Sequence, residues 1–267
     1  IYPNKESQAS FFSESVHSIE KILKINTPNF LITQGDTNTG LAGCMAASLI
    51  NRNLEYKDKI KIVHIEAGLR SFDDTMPEEI NRKLIDQMSH ILFPPTRFDF
   101  ENLKRDNCLK SKRTFIVGNT ITDVLKEYIP AANKSKILEK LKLTKKKYFL
   151  VTLHRPESVD IKKNLSSLLK TLKALYKKYK YPIIFPIHPR TKNNMKKLNL
   201  SFDKNIKIIE PLEYLEFLKL MKDSKLILSD SGGIQEEASI LGVPCVTLRT
   251  TTERQITLLR KVNIMAG

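Results

Sequence analysis

The sequence predicts an α/β protein made of two doubly wound, Rossmann-like units on parallel sheets. Three observations carry this prediction. Short apolar runs alternate with helical patterns along nearly the whole chain. The runs are continuous rather than alternating, as expected for strands buried on both faces. Polar residues follow the runs at equivalent places, where ligands gather in such sheets. At 267 residues the chain is long for one core and comfortable for two.

The strand candidates, in order, are "FLITQGD" (30–36), "IKIVHIEAG" (60–68), "HILFPP" (90–95), "TFIVGN" (114–119), "YFLVTLH" (148–154), "PIIFPIHP" (182–189), "IKIIEPL" (206–212), "KLILSDS" (225–231) and "PCVTLR" (244–249). Helical patterns separate most of them, at 6–26, 39–52, 77–88, 160–180 and 213–223. The lysine-rich segment 130–147 interrupts the series. It divides the expected units into 1–130 and 131–267, facing each other across a cleft.

Composition narrows the function. A hydrophobic share of 41% and a charged share of 28% are those of a soluble globular protein. No apolar run reaches the ~20 residues that span a bilayer, so no membrane partner is expected. The net charge is +16, but many lysines fall in "LEKLKLTKKKY" and "LKALYKKYKY", which read as solvated helix faces. No basic patch carries readout features, so nucleic acid is not an expected partner. A polyanionic small ligand such as a nucleotide suits this charge. Cys44, Cys108 and Cys245 are widely spaced and odd in number. That argues against a metal site or disulfide framework and for reduced thiols in the cytoplasm.

The densest signals lie in "LILSDSGGIQEEASILGVPCVTLRTTTER" (226–254). An apolar run ends in Asp230, Ser231, Gly232 and Gly233, and a helical pattern starts at once. Free N–H groups and the positive dipole end make such a start an anion site, and glycines allow close approach. Neither GxxxxGK[ST] nor GxGxxG is present, so no dinucleotide cofactor is expected. Glu236 and Glu237 lie about one turn in, where a carboxylate meets sugar hydroxyls. Elsewhere Asp36, Glu66, His154, His188 and Ser231 all sit at strand ends. Glu78 follows Thr75 and Pro77 in what reads as a capping box, with Arg82 within helical pairing reach.

The motifs "TQGDTNTG" (33–40), "HIEAGLRS" (64–71), "TMPEEINRKLIDQMSHILFPPT" (75–96), "VTLHRPES" (151–158), "PIHPRT" (186–191) and SDSGGIQEE with TTER occur in order. Together they resemble the non-hydrolysing UDP-N-acetylglucosamine 2-epimerases. The resemblance implies a fold like the B-type nucleotide-sugar glycosyltransferases. It also implies interconversion of UDP-GlcNAc and UDP-ManNAc through elimination and re-addition of UDP, with no cofactor. Asp36, Glu66 and Glu78 match the family's acidic residues, and His154 a histidine at the sugar–phosphate end. Arg70, Arg82 and Arg155 are candidate anion partners, with His188 and Arg254 as further binding residues. Ser231, Gly232 and Gly233 would receive the diphosphate, Glu237 the ribose, and Phe217 the uracil ring. A homodimer is expected by analogy.

The resemblance also marks departures. The chain opens on Ile1, without the family's first strand and its basic loop, and stops before the usual closing helices. Roughly 60–80 preceding residues are therefore expected, half a typical domain. Without them the first unit would be incomplete, and the strand at 30–36 and helix at 39–52 would bare apolar faces. Three other functions stay open: epimerisation of a modified UDP-N-acetyl sugar, hydrolytic epimerisation, and a nucleotide-sugar-binding fragment without catalysis.

Overall fold

The structure, a computed structural model, describes residues 7–110 and 112–266. The chain forms two compact units, Ile1–Asn119 and Thr120–Gly267. In the first unit the order is α1 (Gln8–Asn26), β1 (Phe30–Gln34), α2 (Asn38–Asn51), β2 (Lys61–Ile65), α3 (Pro77–Met88), β3 (Ile91–Phe93), α4 (Arg97–Arg105) and β4 (Arg113–Thr114). Residue 6, where the first helix was expected to begin, lies outside the described residues. The four strands are parallel and lie in the order β1-β2-β3-β4.

Local chemistry sets these boundaries. Ser7 caps α1 by accepting from the Ser10 amide, and Thr37 caps α2 by accepting from the Gly40 amide. Thr96 and Asp99 form a reciprocal capping box on α4. The box expected at Thr75 and Glu78 does not form. Met76 is the N-cap of α3, Pro77 its first residue, and Thr75 bonds Asp73 instead. Asn51 closes the return to β2, exchanging both its amide groups with the Ile60 backbone.

Leu41, Cys44, Ala46 and Ala47 of α2 pack with Leu23, Ile60, Ile62 and Ile85 in the core of this unit. The helix is thus covered, by α1 and α3, contrary to the expectation that it lies open. Among the described residues β1 is the edge strand of the sheet, with Phe30 and Ile32 exposed.

The second unit runs α5 (Ile121–Asn133), α6 (Ile137–Lys140), β5 (Phe149–Thr152), α7 (Pro156–Val159), α8 (Lys162–Tyr179), β6 (Ile183–Pro186), α9 (Pro189–Lys197) and β7 (Ile206–Ile209). It continues through α10 (Tyr214–Asp223), β8 (Leu226–Ser229), α11 (Gly232–Ile240), β9 (Cys245–Thr247), α12 (Gln255–Leu259) and β10 (Asn263–Met265). Six parallel strands lie in the order β10-β9-β8-β5-β6-β7. Successive side chains of a strand point to opposite faces. Leu150, Ile184 and Ile227 accordingly feed one core, while Phe149, Val151, Phe185 and Leu228 feed the other. Continuous apolar runs are the signature of that double burial.

The expected division at 130–131 falls inside α5, and the units part after Asn119. Leu125 and Ala132 on α5 belong to the same core as Leu218 and Ile234, so this helix is built into the second unit. The strand β10 was not foreseen: its Asn263, Ile264 and Met265 do not form a continuous apolar run. The lysines of α8, Lys162, Lys163, Lys170, Lys173, Lys177 and Lys178, are exposed, as expected of a solvated face. Among the described residues no helix is long and apolar enough to cross a membrane.

Candidate active site

Each polar residue expected at a strand end is found there. Asp36 follows β1, Glu66 follows β2, His154 follows β5, His188 follows β6 and Ser231 follows β8. All strands are parallel within their sheets, so each unit gathers its residues at one sheet edge. In the second sheet the order reverses between β5 and β8, the place where doubly wound sheets open a crevice for ligands.

In the first unit α3 organises the carboxylates. Glu78 is the second residue of the helix, in its first turn. One turn on, Asn81 donates to the Asp36 carbonyl (2.9 Å), and Arg82 pairs with the Asp36 carboxylate. The third carboxylate, Glu66, leaves β2 in the left-handed region (φ 69°) and accepts from Gln34 Nε2 at 2.8 Å. That backbone costs about 1–2 kcal/mol for a residue with a side chain, so something must hold the loop.

Two buried carboxylates of α3 do so. Glu79 accepts from the Ser71 amide and hydroxyl (both 2.9 Å) and from the Phe72 amide (3.2 Å). Asp86 accepts from the Gly68 amide at 3.2 Å and faces Arg70 Nη2 at 2.7 Å. Gly68 itself has φ 81°, and a Cβ there would lie 2.2 Å from the Asp99 carbonyl oxygen.

Fully buried His64 ties the two strand-end loops together. Its Nδ1 lies 2.7 Å from Asp86, and its Nε2 lies 2.9 Å from the Gly35 carbonyl, beside Asp36. Burial alone would raise the Asp86 carboxyl, but His64 and Arg70 hold it below its ordinary value.

This geometry corrects two expected anion partners. Arg70 is buried, with Nε on Asp106 (2.7 Å) and Nη1 on the Leu69 carbonyl besides its Asp86 contact. Arg82 is buried and paired with Glu79 and Asp36. Both arginines neutralise carboxylates of their own unit. Glu79, Asp86 and His64 were not singled out from sequence. The readable signal was the seven-residue spacing of Glu79 and Asp86, which puts them on one face of a helix.

In the second unit Ser231 is the N-cap residue of α11, and its side chain makes no capping bond. Gly232 is buried, and a Cβ on it would lie 2.2 Å from Glu253 Oε1, so a side chain there would have to displace the Glu253 carboxylate. Gly233 is exposed, with nothing within 4 Å of a Cβ, and is the open side of the helix start. Further along α11, Glu237 is buried and accepts from the Tyr214 hydroxyl at 3.0 Å. Burial pushes the Glu237 carboxyl up from its ordinary value, and the Tyr214 bond opposes that only in part. Glu236 instead faces Arg254 Nε at 3.0 Å. Phe217 is half-buried, packed against the core on its helix α10.

His154 and Arg155 are held by their backbones. Buried Asp230 accepts from the His154 amide (2.9 Å) and the Arg155 amide (2.9 Å), and its Oδ1 lies 3.1 Å from His154 Nδ1. Asp230 was quoted in the sequence motif without a role. The rings of His154 and His188 stand 5.5 Å apart, and His188 Nδ1 accepts from the Arg190 amide. Burial, His154 and Arg190 together lower the His188 pKa. Among the described residues, no three His, Cys, Asp or Glu side chains are arranged to hold a metal ion.

Comparison with known proteins places the chain in a family. A UDP-N-acetylglucosamine 2-epimerase of Methanococcus maripaludis is 49% identical over 256 residues, covering 93% of this chain and 68% of its own length. A UDP-2,3-diacetamido-2,3-dideoxy-D-glucuronate 2-epimerase of Pseudomonas aeruginosa is 37% identical over 250 residues, covering 93% of this chain and 66% of its own. The crystal structure of Methanocaldococcus jannaschii UDP-GlcNAc 2-epimerase in complex with UDP-GlcNAc and UDP superposes with a TM-score of 0.88 at 44% identity. That match covers 99% of this chain and 72% of the other. With the family's sequence model matched over residues 3–267, the chain belongs to the UDP-N-acetylglucosamine 2-epimerase family.

Proposed function

We propose that this protein interconverts UDP-GlcNAc and UDP-ManNAc by inversion at C2. The observation that supports the proposal is that Asp36 and Glu66 follow the neighbouring parallel strands β1 and β2, and that Asp36 is tied through Asn81 and Arg82 to α3, whose first turn carries Glu78. The hydrogen on C2 is not acidic, so its removal has to accompany departure of UDP from C1. In the forward step a carboxylate takes the C2 proton while the C1–O bond breaks. The electron pair of that bond leaves with UDP, and 2-acetamidoglucal remains. In the return step the diphosphate oxygen adds back to C1, and a second acid returns a proton to the opposite face of C2. The sequence is redox-neutral and needs acid–base groups on both sugar faces, which three carboxylates supply.

Departing UDP carries developing negative charge, which fixed N–H donors and cations stabilise. In this reading the start of α11 at Ser231, Gly232 and Gly233 takes the diphosphate and Glu237 takes the ribose. Phe217 lies along the uracil, and His154, Arg155, His188 and Arg254 surround the phosphates. The three cysteines, all free and buried, suit the reducing cytoplasm in which nucleotide sugars are made.

The deciding experiment is incubation with UDP-GlcNAc in deuterated water, followed by NMR at C2. Deuterium at C2 together with UDP-ManNAc is the expected outcome. Free N-acetylmannosamine would instead mean hydrolysis, and binding without exchange would mean a binding fragment. The 37% identity to the diacetamido-sugar epimerase favours one further reading, in which the same chemistry acts on a modified UDP-N-acetyl sugar. Exchange into such a sugar but not into UDP-GlcNAc would select it.

A further inference from the structure

Two histidines at neighbouring strand ends have opposite partners. Strands β5 and β8 pair in register up to Thr152 and Ser229, and β5 also pairs with β6. This brings His154, Asp230 and His188 to one edge of the sheet. At His154 the Nδ1 nitrogen faces a carboxylate, which only accepts, so Nδ1 must carry a hydrogen. At His188 the Nδ1 nitrogen accepts from the Arg190 amide, so in the neutral ring Nε2 must carry the hydrogen.

We infer that Asp230 is a positioning residue that holds His154 as the Nδ1–H tautomer, leaving Nε2 as its working nitrogen toward a diphosphate, while His188 offers a neutral Nε2–H beside it. The ligand assignment rests on the epimerase reading; the tautomers do not.

Asp230 is suited to the task. It is fully buried, and besides the ring it accepts from the His154 and Arg155 amides, so it fixes backbone and side chain together. Burial alone would raise its carboxyl, but the His154 ring and those amides hold it below its ordinary value of 3.8. It therefore stays an acceptor at neutral pH. Two charged imidazoles with centroids 5.5 Å apart would repel. Asp230 meets His154 Nδ1 directly at 3.1 Å, whereas it reaches His188 only through its charge, so it sets the tautomer of His154 and not that of His188. His188 stays neutral, and the charged Arg190 side chain also discourages its protonation. The Nε2–H of His188 and the free Nε2 of His154 then face one anionic ligand, and neither ring has to rotate.

The test is nitrogen-15 NMR of the imidazoles in the full chain without ligand, with His154→Asn and His188→Asn used to assign the signals. In the neutral rings we expect Nδ1–H at His154 and Nε2–H at His188. In Asp230→Asn the amide N–H₂ can turn toward the ring, so His154 should switch to Nε2–H. Its kcat/KM for the UDP-sugar should then fall by roughly 100-fold, the scale for a mis-set acid–base group, with an unchanged circular dichroism spectrum. Nε2–H at His154 in the unaltered protein overturns the inference, and that result needs no variant to fold. A folded variant that switches tautomer yet keeps its kcat/KM overturns it as well. If the unaltered chain shows no C2 exchange, the epimerase reading falls, while the tautomers still decide the role of Asp230.

Discussion

Glu237 shows how far neighbours alter a side chain. It is a buried carboxylate with one protein donor, the Tyr214 hydroxyl, and burial raises its pKa. A ligand offering ribose hydroxyls would supply the missing hydrogen bonds to its charged form. Glu237→Ala is therefore expected to weaken UDP binding by about 1–3 kcal/mol, the scale of lost hydrogen bonds to a charged group, as titration calorimetry would show. Unchanged affinity would remove Glu237 from the nucleotide site. Asp36, Glu66 and Glu78 make a different prediction. Asp36→Asn, Glu66→Gln and Glu78→Gln should each lower kcat by about 10²–10⁴-fold while leaving UDP affinity within twofold or so. A variant that loses UDP binding and keeps kcat would contradict the division of labour between the units.

The element that matters most in the first unit is the loop between β2 and α3. Glu66, Gly68 and Phe72 all have positive φ, and the loop is kept in place by Glu79 and Asp86 of α3. At Gly68 the backbone conformation and the Asp99 carbonyl both exclude a side chain. Gly68→Ala should destabilise the protein by at least ~2 kcal/mol, from the left-handed backbone and the overlap together; urea unfolding would measure it. Glu79→Ala leaves buried Arg82 facing Asp36 and frees three donors of the loop. Breaking a buried pair of this kind costs about 3–5 kcal/mol. Activity should fall with it, because Glu66 loses its anchored loop.

Taken as one folded molecule, the protein depends on ionised buried carboxylates. Asp86 and Asp230 both have folded pKa values below the ordinary 3.8. A depressed carboxyl binds protons less tightly folded than unfolded, so its contribution is complete above 3.8 and is lost as pH falls through the folded value. Thermal midpoints should hold steady down to about pH 5 and drop steeply below pH 4, with a shallower drop in Asp86→Asn. An equal acid slope in that variant would remove Asp86 from the account. The open edge of β1 makes a separate prediction. Among the described residues β1 is paired on one side only, by β2, and its Phe30 and Ile32 are 54% and 63% exposed, a surface that favours association with other chains. Replacing both with Lys should lower the associated fraction in sedimentation velocity without changing the helical circular dichroism.

Much of this architecture is written in local chemistry. The strand runs, the helix starts near Thr37 and Pro77, and the glycines at 232–233 depend on neighbours within a few residues. They can be read before any fold is known, and so can the placing of Asp36, Glu66, His154, His188 and Ser231 at strand ends. Partners were not legible in the same way. Asp36 meets Arg82 46 residues away, and His154 meets Asp230 76 residues away, because strand order and helix packing bring them together. An arginine in a motif looks the same whether it faces a ligand or a buried aspartate. Arg70 and Arg82 were therefore read as anion partners until packing placed them inside. The division after Asn119 likewise depended on α5, whose apolar face has no owner until a core is built against it. Local propensity and period specify the elements and where their ends lie; long-range packing alone decides which charge faces which.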